Sequence, residues 1–200
     1  MANPIDFYFD YSSPYGYIAA MKIDGIAARH GRRVNWKPVL LGAVFKVTGG
    51  KPLPTLPLKG DYSLRDIPRS ANFHDLPYRH PSKFPIASQA PARAFYWLDE
   101  RDPPLAHELA RALYRAYFVS DLDISSPDVT ADVAATLGLK REELLAAIGS
   151  ETIKARLKNE VDAALARGVF GSPYFVIDGE PFWGVDRFDQ MERWLTQGPF

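Results

Sequence analysis

The sequence predicts an α/β fold in which a βαβ unit at the start and a ββα unit at the end enclose a long helical block. Three observations predict it. Residues 5–41 alternate between strand-type and helical apolar patterns, residues 61–168 show helical periodicity, and a hairpin signal precedes a final helix. With 200 residues, 46% of them hydrophobic, the chain can build one domain that carries a large insertion.

The first strand and the first helix meet at Ser13. An aromatic-rich run of strand type covers residues 5–10 and ends at Asp10. An apolar pattern of helical spacing begins at Tyr15. Pro14 suits the first helical position, because its missing N–H would have no partner there. Ser13 is therefore the predicted N-cap, with its hydroxyl at the positive end of the helix dipole. It can be a plain cap or a donor to a bound anion, and the local sequence leaves both open.

The middle of the chain predicts a loop and then helices. Residues 33–41 read as a second strand, and residues 49–60 form a loop rich in proline and glycine, of a length often found at binding clefts. Helical segments follow. We expect residues 1–60 and 169–200 to form one domain, with residues 61–168 as an inserted helical subdomain.

The C-terminal part predicts a hairpin and a helix. Tyr174–Ile177 is a strand, Asp178-Gly179 is a two-residue hairpin signal, and residues 181–183 form the returning strand. Asp186 is the predicted N-cap of the last helix. The resulting order predicts an α/β, thioredoxin-like fold (βαβ + ββα) with a large all-helical insertion.

Composition excludes several classes of function. The chain has no cysteine, which excludes disulfides, thiolate metal sites and cysteine nucleophiles, and its four histidines lack metal-ligand spacing, so we expect no metal site. Lys plus Arg equals Asp plus Glu at 24 each, which argues against nucleic acid and membrane partners. The chain opens with no signal-peptide pattern and contains no apolar run of about 18 residues, so we expect a soluble cytoplasmic protein.

A second Ser-Pro pair, Ser172-Pro173, stands directly before the strand that begins at Tyr174. Proline cannot donate to a sheet ladder, so Pro173 belongs at the first position of the strand or at a sheet edge. A cis bond would turn the backbone groups of Ser172 into the same cleft as Ser13, and the sequence leaves the isomer open.

Three motifs together resemble one family. They are Phe-Asp-x-x-Ser-Pro-Tyr at residues 9–15, Gly-Val-Phe-Gly-x-Pro at residues 168–173 and Phe-Trp-Gly-x-Asp-Arg at residues 182–187. This combination resembles the kappa-class glutathione transferases and their relatives, the 2-hydroxychromene-2-carboxylate isomerases, over essentially the whole chain. The wider group includes thiol-disulfide oxidoreductases, but dithiol exchange needs cysteines that this chain lacks.

The resemblance implies a glutathione site. Ser13 corresponds to the serine whose hydroxyl bonds the glutathione sulfur, where a donor at a helix N-terminus lowers the thiol pKa. The main chain of Ser172, before Pro173, would pair with the cysteinyl part of glutathione.

The same resemblance places Trp183, Gly184, Val185 and Asp186 among the glutathione-binding residues, with Val185 and Asp186 at the γ-glutamyl end. Backbone N–H groups of Val185 and Asp186 would meet the carboxylate, and the Asp186 side chain would meet the ammonium. A plain N-cap is the alternative for Asp186.

Lys46 resembles a lysine of the substrate cleft, where it would hold a substrate carboxylate. A solvated lysine at a helix end is the alternative interpretation. Two positions depart from the family pattern: Gly50 stands where the family usually has Asn, and Gly16 where many members have Ser.

The function implied by the resemblance is that of a glutathione-dependent isomerase of 2-hydroxychromene-2-carboxylate type in aromatic degradation. It implies an aromatic small-molecule substrate, glutathione as the cofactor, and a homodimer. Two alternatives stay open. One is a kappa-type transferase or peroxidase that consumes glutathione, and the other is a non-catalytic ligand-binding module on a thioredoxin fold.

Overall fold

The computed structural model describes residues 3–200. Its elements are β1 (Ile5–Phe9), α1 (Pro14–Arg29), β2 (Val34–Pro38), α2 (Leu41–Thr48), α3 (Lys59–Phe73), α4 (Gln89–Asp99), α5 (Pro103–Phe118), α6 (Pro127–Ala135), α7 (Arg141–Gly149), α8 (Glu151–Ala166), β3 (Tyr174–Ile177), β4 (Glu180–Trp183) and α9 (Phe188–Gln197). Short 3-10 turns precede α3 and α9. This order confirms the predicted α/β fold of thioredoxin type with a helical insertion.

One mixed sheet in the described residues has the strand order β2-β1-β3-β4. β1 is parallel to β2, and it is antiparallel to β3, which in turn is antiparallel to β4. A parallel pair needs a crossover connection, and α1 supplies it. The turn that leads into α1 therefore leaves a central strand, next to the loop that leads into β3.

The hydrophobic core joins the sheet to the helical block. Phe9, which is fully buried, contacts Trp36 of β2 with ring centroids 5.4 Å apart. On the other side it contacts Phe95 of α4 at 5.8 Å and Tyr114 of α5 at 5.9 Å. Burial of one such side chain contributes roughly 1.5–3 kcal/mol, so α4 and α5 are stabilised by the same residues that stabilise the sheet.

Two local predictions have different outcomes. Asp178 and Gly179 both have positive φ, 52° and 94°, which confirms the two-residue hairpin turn. The prediction that Asp186 caps the last helix is wrong. Asp186 lies in the 3-10 turn before α9, whose first residue is Phe188, and its carboxylate makes no capping bond but pairs with Arg187 at 3.2 Å.

None of the helices in residues 3–200 combines the length and the apolar character needed to cross a membrane.

Candidate functional site

Ser13 caps α1, as predicted. Its backbone is extended, with φ −91° and ψ 116°, and its Oγ accepts a hydrogen bond from the N–H of Gly16 at 3.0 Å. The side chain is held firmly, since the residue is only 5% exposed. Loss of such a cap costs about 1 kcal/mol. The cap uses a lone pair of the hydroxyl, so the hydroxyl proton is left for a second partner.

That second partner is the other Ser-Pro pair. Ser13 Oγ donates to the carbonyl oxygen of Ser172 at 2.8 Å, and the Ser172–Pro173 bond is cis. The two Ser-Pro motifs therefore lie in direct contact. Because a hydroxyl has one proton, a ligand atom that accepts from Ser13 must replace the Ser172 carbonyl as the acceptor.

Asp10 holds these segments together from the end of β1. Its carboxylate accepts from the N–H of Ser12 at 2.7 Å and from the N–H of Leu41 at 2.6 Å, and its own N–H donates to Ser172 Oγ at 2.9 Å. Burial raises the pKa of Asp10, and these two backbone donors oppose the increase. Asp10 was part of a sequence motif, but its bonding to three separate segments was not predicted.

The first turn of α1 provides a donor that the sequence analysis missed. Pro14 has no N–H, the N–H of Gly16 is bonded to Ser13, and the N–H of Tyr17 donates to the Ser13 carbonyl at 3.0 Å. Among residues 3–200, the N–H of Tyr15 finds no acceptor. Such unpaired donors at helix N-termini bind anions, so Tyr15 adds a second donor beside Ser13. A proline at the first helical position is the sequence signal that could have indicated it.

The loop before α9 is attached to the same place. The N–H of Gly184 donates to the Pro173 carbonyl at 3.1 Å, and the indole of Trp183 occupies the space where a side chain of Gly171 would lie. Within the described part of the chain, the N–H groups of Val185 and Asp186 have no acceptor. The structure thus attaches Trp183 and Gly184 to the loop that contains Pro173, and the two unpaired donors of Val185 and Asp186 follow directly in the chain.

The Asp186 carboxylate turns back over Gly184. Gly184 has φ 101°, and a Cβ there would collide with Asp186 Oδ1, so this position requires glycine. The Asp186 side chain is 69% exposed, and its pair with Arg187 is a surface pair. Such pairs contribute about 0–1 kcal/mol, so the carboxylate is accessible to another cation.

Lys46 is not joined to this group. It is exposed on α2, and no hydrogen bond or ion pair of the described residues connects it to the Ser13 region. The structure does explain the glycine at position 50. A Cβ there would lie 2.8 Å from Cδ1 of Phe45, so an asparagine would have to displace that ring.

Two partly buried tyrosines, Tyr15 and Tyr78, lie near the first turns of α1: Tyr15 belongs to the helix, and Tyr78 follows Pro77, whose carbonyl accepts from Tyr17 OH at 2.8 Å. Tyr15 OH donates to Asp66 of α3 at 2.6 Å. The segment before α4 is also attached to the Ser13 turn, because the N–H of Ile86 donates to Ser12 Oγ at 3.2 Å. Burial raises the pKa of both tyrosines, so both are protonated at neutral pH. The sequence did not indicate that Tyr78 lies near α1, because the two tyrosines come from separate segments.

Comparisons with known proteins agree with this architecture. Residues 4–196 match the family model described as a DSBA-like thioredoxin domain. A 2-hydroxychromene-2-carboxylate isomerase of Sphingobium xenophagum is 28% identical, over 98% of this chain and 99% of the relative. Glutathione S-transferase kappa 2 of Caenorhabditis elegans is 27% identical, over 98% of this chain and 92% of the relative. A solved 2-hydroxychromene-2-carboxylate isomerase matches with a TM-score of 0.85 and 25% identity, over 96% of this chain and 94% of that chain.

Proposed function

This chain belongs to the DSBA-like thioredoxin domain family, and we propose that it binds glutathione at Ser13 and uses the bound thiolate as its nucleophile. One observation carries the proposal: the hydroxyl of Ser13 lies at the N-terminus of α1 and in contact with Ser172. Since the chain has no cysteine, a thiol nucleophile must come with the ligand. The kappa transferase relative, named for glutathione, supports this choice of thiol.

In this proposal Ser13 and Tyr15 hold the sulfur. The Ser13 hydroxyl transfers its hydrogen bond from the Ser172 carbonyl to the sulfur, and the N–H of Tyr15 is a second donor. Donors at the positive end of a helix dipole stabilise thiolate over thiol, and the thiol pKa falls. The Ser172 carbonyl is then free to accept from the cysteinyl N–H of glutathione, beside Pro173.

The γ-glutamyl end is assigned to the loop from Trp183 to Asp186. The unpaired N–H groups of Val185 and Asp186 suit a carboxylate. The Asp186 carboxylate, which pairs with Arg187 at the surface, suits the ammonium. Trp183 and Gly184 shape the loop and attach it to Pro173.

The reaction we propose is isomerisation of a 2-hydroxychromene-2-carboxylate type substrate. Bound glutathione supplies a thiolate that adds reversibly to the conjugated ring-opened substrate, permits rotation about the former double bond and leaves unchanged. Tyr15 and Tyr78 would pack against the aromatic substrate, and Lys46 would hold its carboxylate. Isomerases among the matches, by sequence and by structure, support this reaction. On the same basis we propose a role in aromatic degradation, a cytoplasmic homodimer, and an inserted subdomain over residues 61–168.

The second candidate is kappa-type transfer or peroxide reduction, favoured by the kappa relative. The two reactions differ in whether glutathione is consumed. Isomerisation regenerates glutathione, whereas transfer or reduction consumes it. Free thiol measured during turnover of a conjugated aromatic keto acid separates them. A constant thiol concentration supports isomerisation, and a stoichiometric loss supports the second candidate.

Glutathione binding by calorimetry at several pH values tests the site itself. Wild type should bind with proton release near neutral pH, and Ser13→Ala should lose that release. Ser150→Ala is the matched control, because Ser150 caps α8 in the same way: it accepts from the N–H of Ile153 at 3.3 Å and donates to the Ala147 carbonyl at 2.8 Å. It should bind like wild type. Absence of binding at millimolar glutathione would leave only a ligand-binding module for some other ligand.

A further inference from the structure

Gly16, in the first turn of α1, borders a crowded space. A Cβ at this position would lie 2.6 Å from Tyr114 OH, 2.9 Å from Ser172 Oγ and 3.1 Å from Ser13 Cβ. Gly25, in the same helix, would have no atom within 4 Å of its Cβ. The requirement at position 16 therefore comes from the neighbouring side chains and not from the helix itself.

The two hydroxyls that fill this space are both bonded to Asp10. Tyr114 OH donates to the Asp10 carbonyl at 2.9 Å, and Ser172 Oγ accepts from the Asp10 N–H at 2.9 Å. The same Asp10 carbonyl accepts from the N–H of Ser13 at 2.9 Å. Tyr114 is fully buried and belongs to α5, so a hydroxyl from the helical block reaches the backbone of the Ser13 turn.

We propose that Tyr114 and the side chain of Ser172 are positioning residues for Ser13, and that glycine at position 16 is required because their hydroxyls occupy its side-chain space. The inference rests on the proposed role of Ser13. Each hydroxyl bonds one backbone group of Asp10, and together they fix the turn from which the Ser13 hydroxyl projects.

The consequence is a coupling between the helical block and the sulfur site. A misplacement on the order of 1 Å at such a site can reduce its effect by about 100-fold. Loss of the Tyr114 hydroxyl removes one of the two donors to the Asp10 carbonyl. Loss of the Ser172 hydroxyl removes the acceptor of the Asp10 N–H. Either change loosens the turn that carries Ser13, while Ser13 and its helix remain present.

A thiol at position 13 tests this coupling without glutathione. Ser13→Cys introduces the only cysteine of the chain, so the pH dependence of its alkylation reports one thiol pKa. At a helix N-terminus this pKa should lie below the ordinary value of about 8.5. Adding Tyr114→Phe or Ser172→Ala should raise it by about one unit, a tenfold change in the thiolate to thiol ratio. A residue with a purely structural role would not move this pKa.

Two matched controls accompany these variants. Tyr96 is also a buried tyrosine, and its hydroxyl donates to the Pro38 carbonyl at 2.8 Å and not to a backbone group of Asp10. Tyr96→Phe should leave the pKa of the Ser13→Cys thiol unchanged. Gly25→Ala adds a methyl group to the open side of the same helix and should also leave it unchanged.

Position 16 provides a double-mutant cycle. Gly16→Ala should raise the pKa of the Ser13→Cys thiol, because the new methyl group displaces the Tyr114 hydroxyl. Gly16→Ala and Tyr114→Phe both remove the hydrogen bond from Tyr114 to the Asp10 carbonyl, so their shifts should be less than additive in a double-mutant cycle. Where Gly16→Ala fails to fold in a thermal unfolding scan, Tyr114→Phe and Ser172→Ala with Gly16 intact decide the question.

An unchanged thiol pKa in folded Tyr114→Phe and Ser172→Ala variants overturns the inference. So does an equal shift with Tyr96→Phe, because the effect would then be general to the core. The proposed function is tested separately. If the wild-type chain does not bind glutathione, that proposal fails, whatever the thiol pKa of the Ser13→Cys variants.

Discussion

The hydroxyl of Ser13 donates a hydrogen bond of 2.8 Å to the carbonyl oxygen of Ser172, across 159 residues of chain. The two residues meet because β1 and β3 are neighbours in the sheet, so the turn after one strand lies beside the loop before the other. In this bond the Ser13 hydroxyl uses its single proton and the Ser172 carbonyl accepts it. A ligand with an acceptor and a donor, such as a thiolate next to an amide N–H, can satisfy both groups when it separates them.

Asp186→Asn should weaken glutathione binding by about tenfold, because it replaces a charge-assisted bond to the ammonium by a neutral one. The free energy of unfolding should change by no more than about 1 kcal/mol, since the partner of Asp186 within residues 3–200 is an exposed arginine. Calorimetry and urea unfolding measure the two quantities. Asp189→Asn, in the first turn of α9, is the control and should bind glutathione normally. Equal affinities of the two variants would remove Asp186 from the site.

Lys46→Ala should raise the KM for a substrate with a carboxylate and leave the affinity for glutathione unchanged. Loss of one charged hydrogen bond corresponds to roughly 1.5–3 kcal/mol, and so to at least about a tenfold change in KM. Lys51→Ala removes a nearby exposed lysine and should change neither value. If both variants turn over substrate like wild type, Lys46 is a solvated surface residue.

Tyr11→Phe should stabilise the fold by about 1 kcal/mol, because a buried hydroxyl without a partner carries a desolvation cost. Tyr11 is fully buried, and its hydroxyl has no hydrogen-bond partner among the described residues. Tyr96→Phe is the comparison and should destabilise by about 1 kcal/mol, since it leaves the Pro38 carbonyl without its donor. Urea unfolding measures both. An equal loss for Tyr11→Phe would indicate a buried water at its hydroxyl.

His107→Gln should reduce the loss of stability in mild acid. The ring stacks on Trp36 at 4.8 Å, and burial lowers the pKa of His107 below 6.5, against the opposing charge of Asp24. As the pH falls below 6.5, His107 becomes protonated in the unfolded chain while it stays neutral in the folded chain. Stability is therefore lost until the pH reaches the lower pKa of His107 in the folded state. Urea unfolding between about pH 5 and 7.5 should show a shallower slope for the variant. His74 and His80 keep a remaining slope, since burial lowers their pKa values too. An unchanged slope would contradict the prediction.

Several features could be predicted from the sequence because their signals are local. Ser13 caps α1, as its position before an apolar helical pattern indicated, and Ser126 and Ser150 cap α6 and α8 in the same way. The β3–β4 hairpin follows from Asp178-Gly179 alone. Each of these signals acts within one turn of backbone, so the order of the elements could be read before any tertiary contact was known.

The errors and omissions concern contacts between distant segments. Asp186 has the composition of an N-cap, but the bond from Gly184 to Pro173 holds its loop in a 3-10 turn, and α9 begins later. Nothing in the local sequence around Gly16 indicates Tyr114, which arrives from α5. The approach of Tyr78 to α1 was missed for the same reason.

The sequence by itself determined the element order, the cap at Ser13 and the absence of cysteine, which requires any thiol to come from a ligand. Only the tertiary structure decided that Ser13 meets Ser172, that Tyr114 supports their turn, and that Gly16 and Gly50 leave room for neighbouring side chains. The physical reason is the difference in sequence distance over which these interactions act. Capping, turn chemistry and apolar periodicity act over a few residues, whereas the meeting of distant segments depends on strand order and on how helices pack against the sheet.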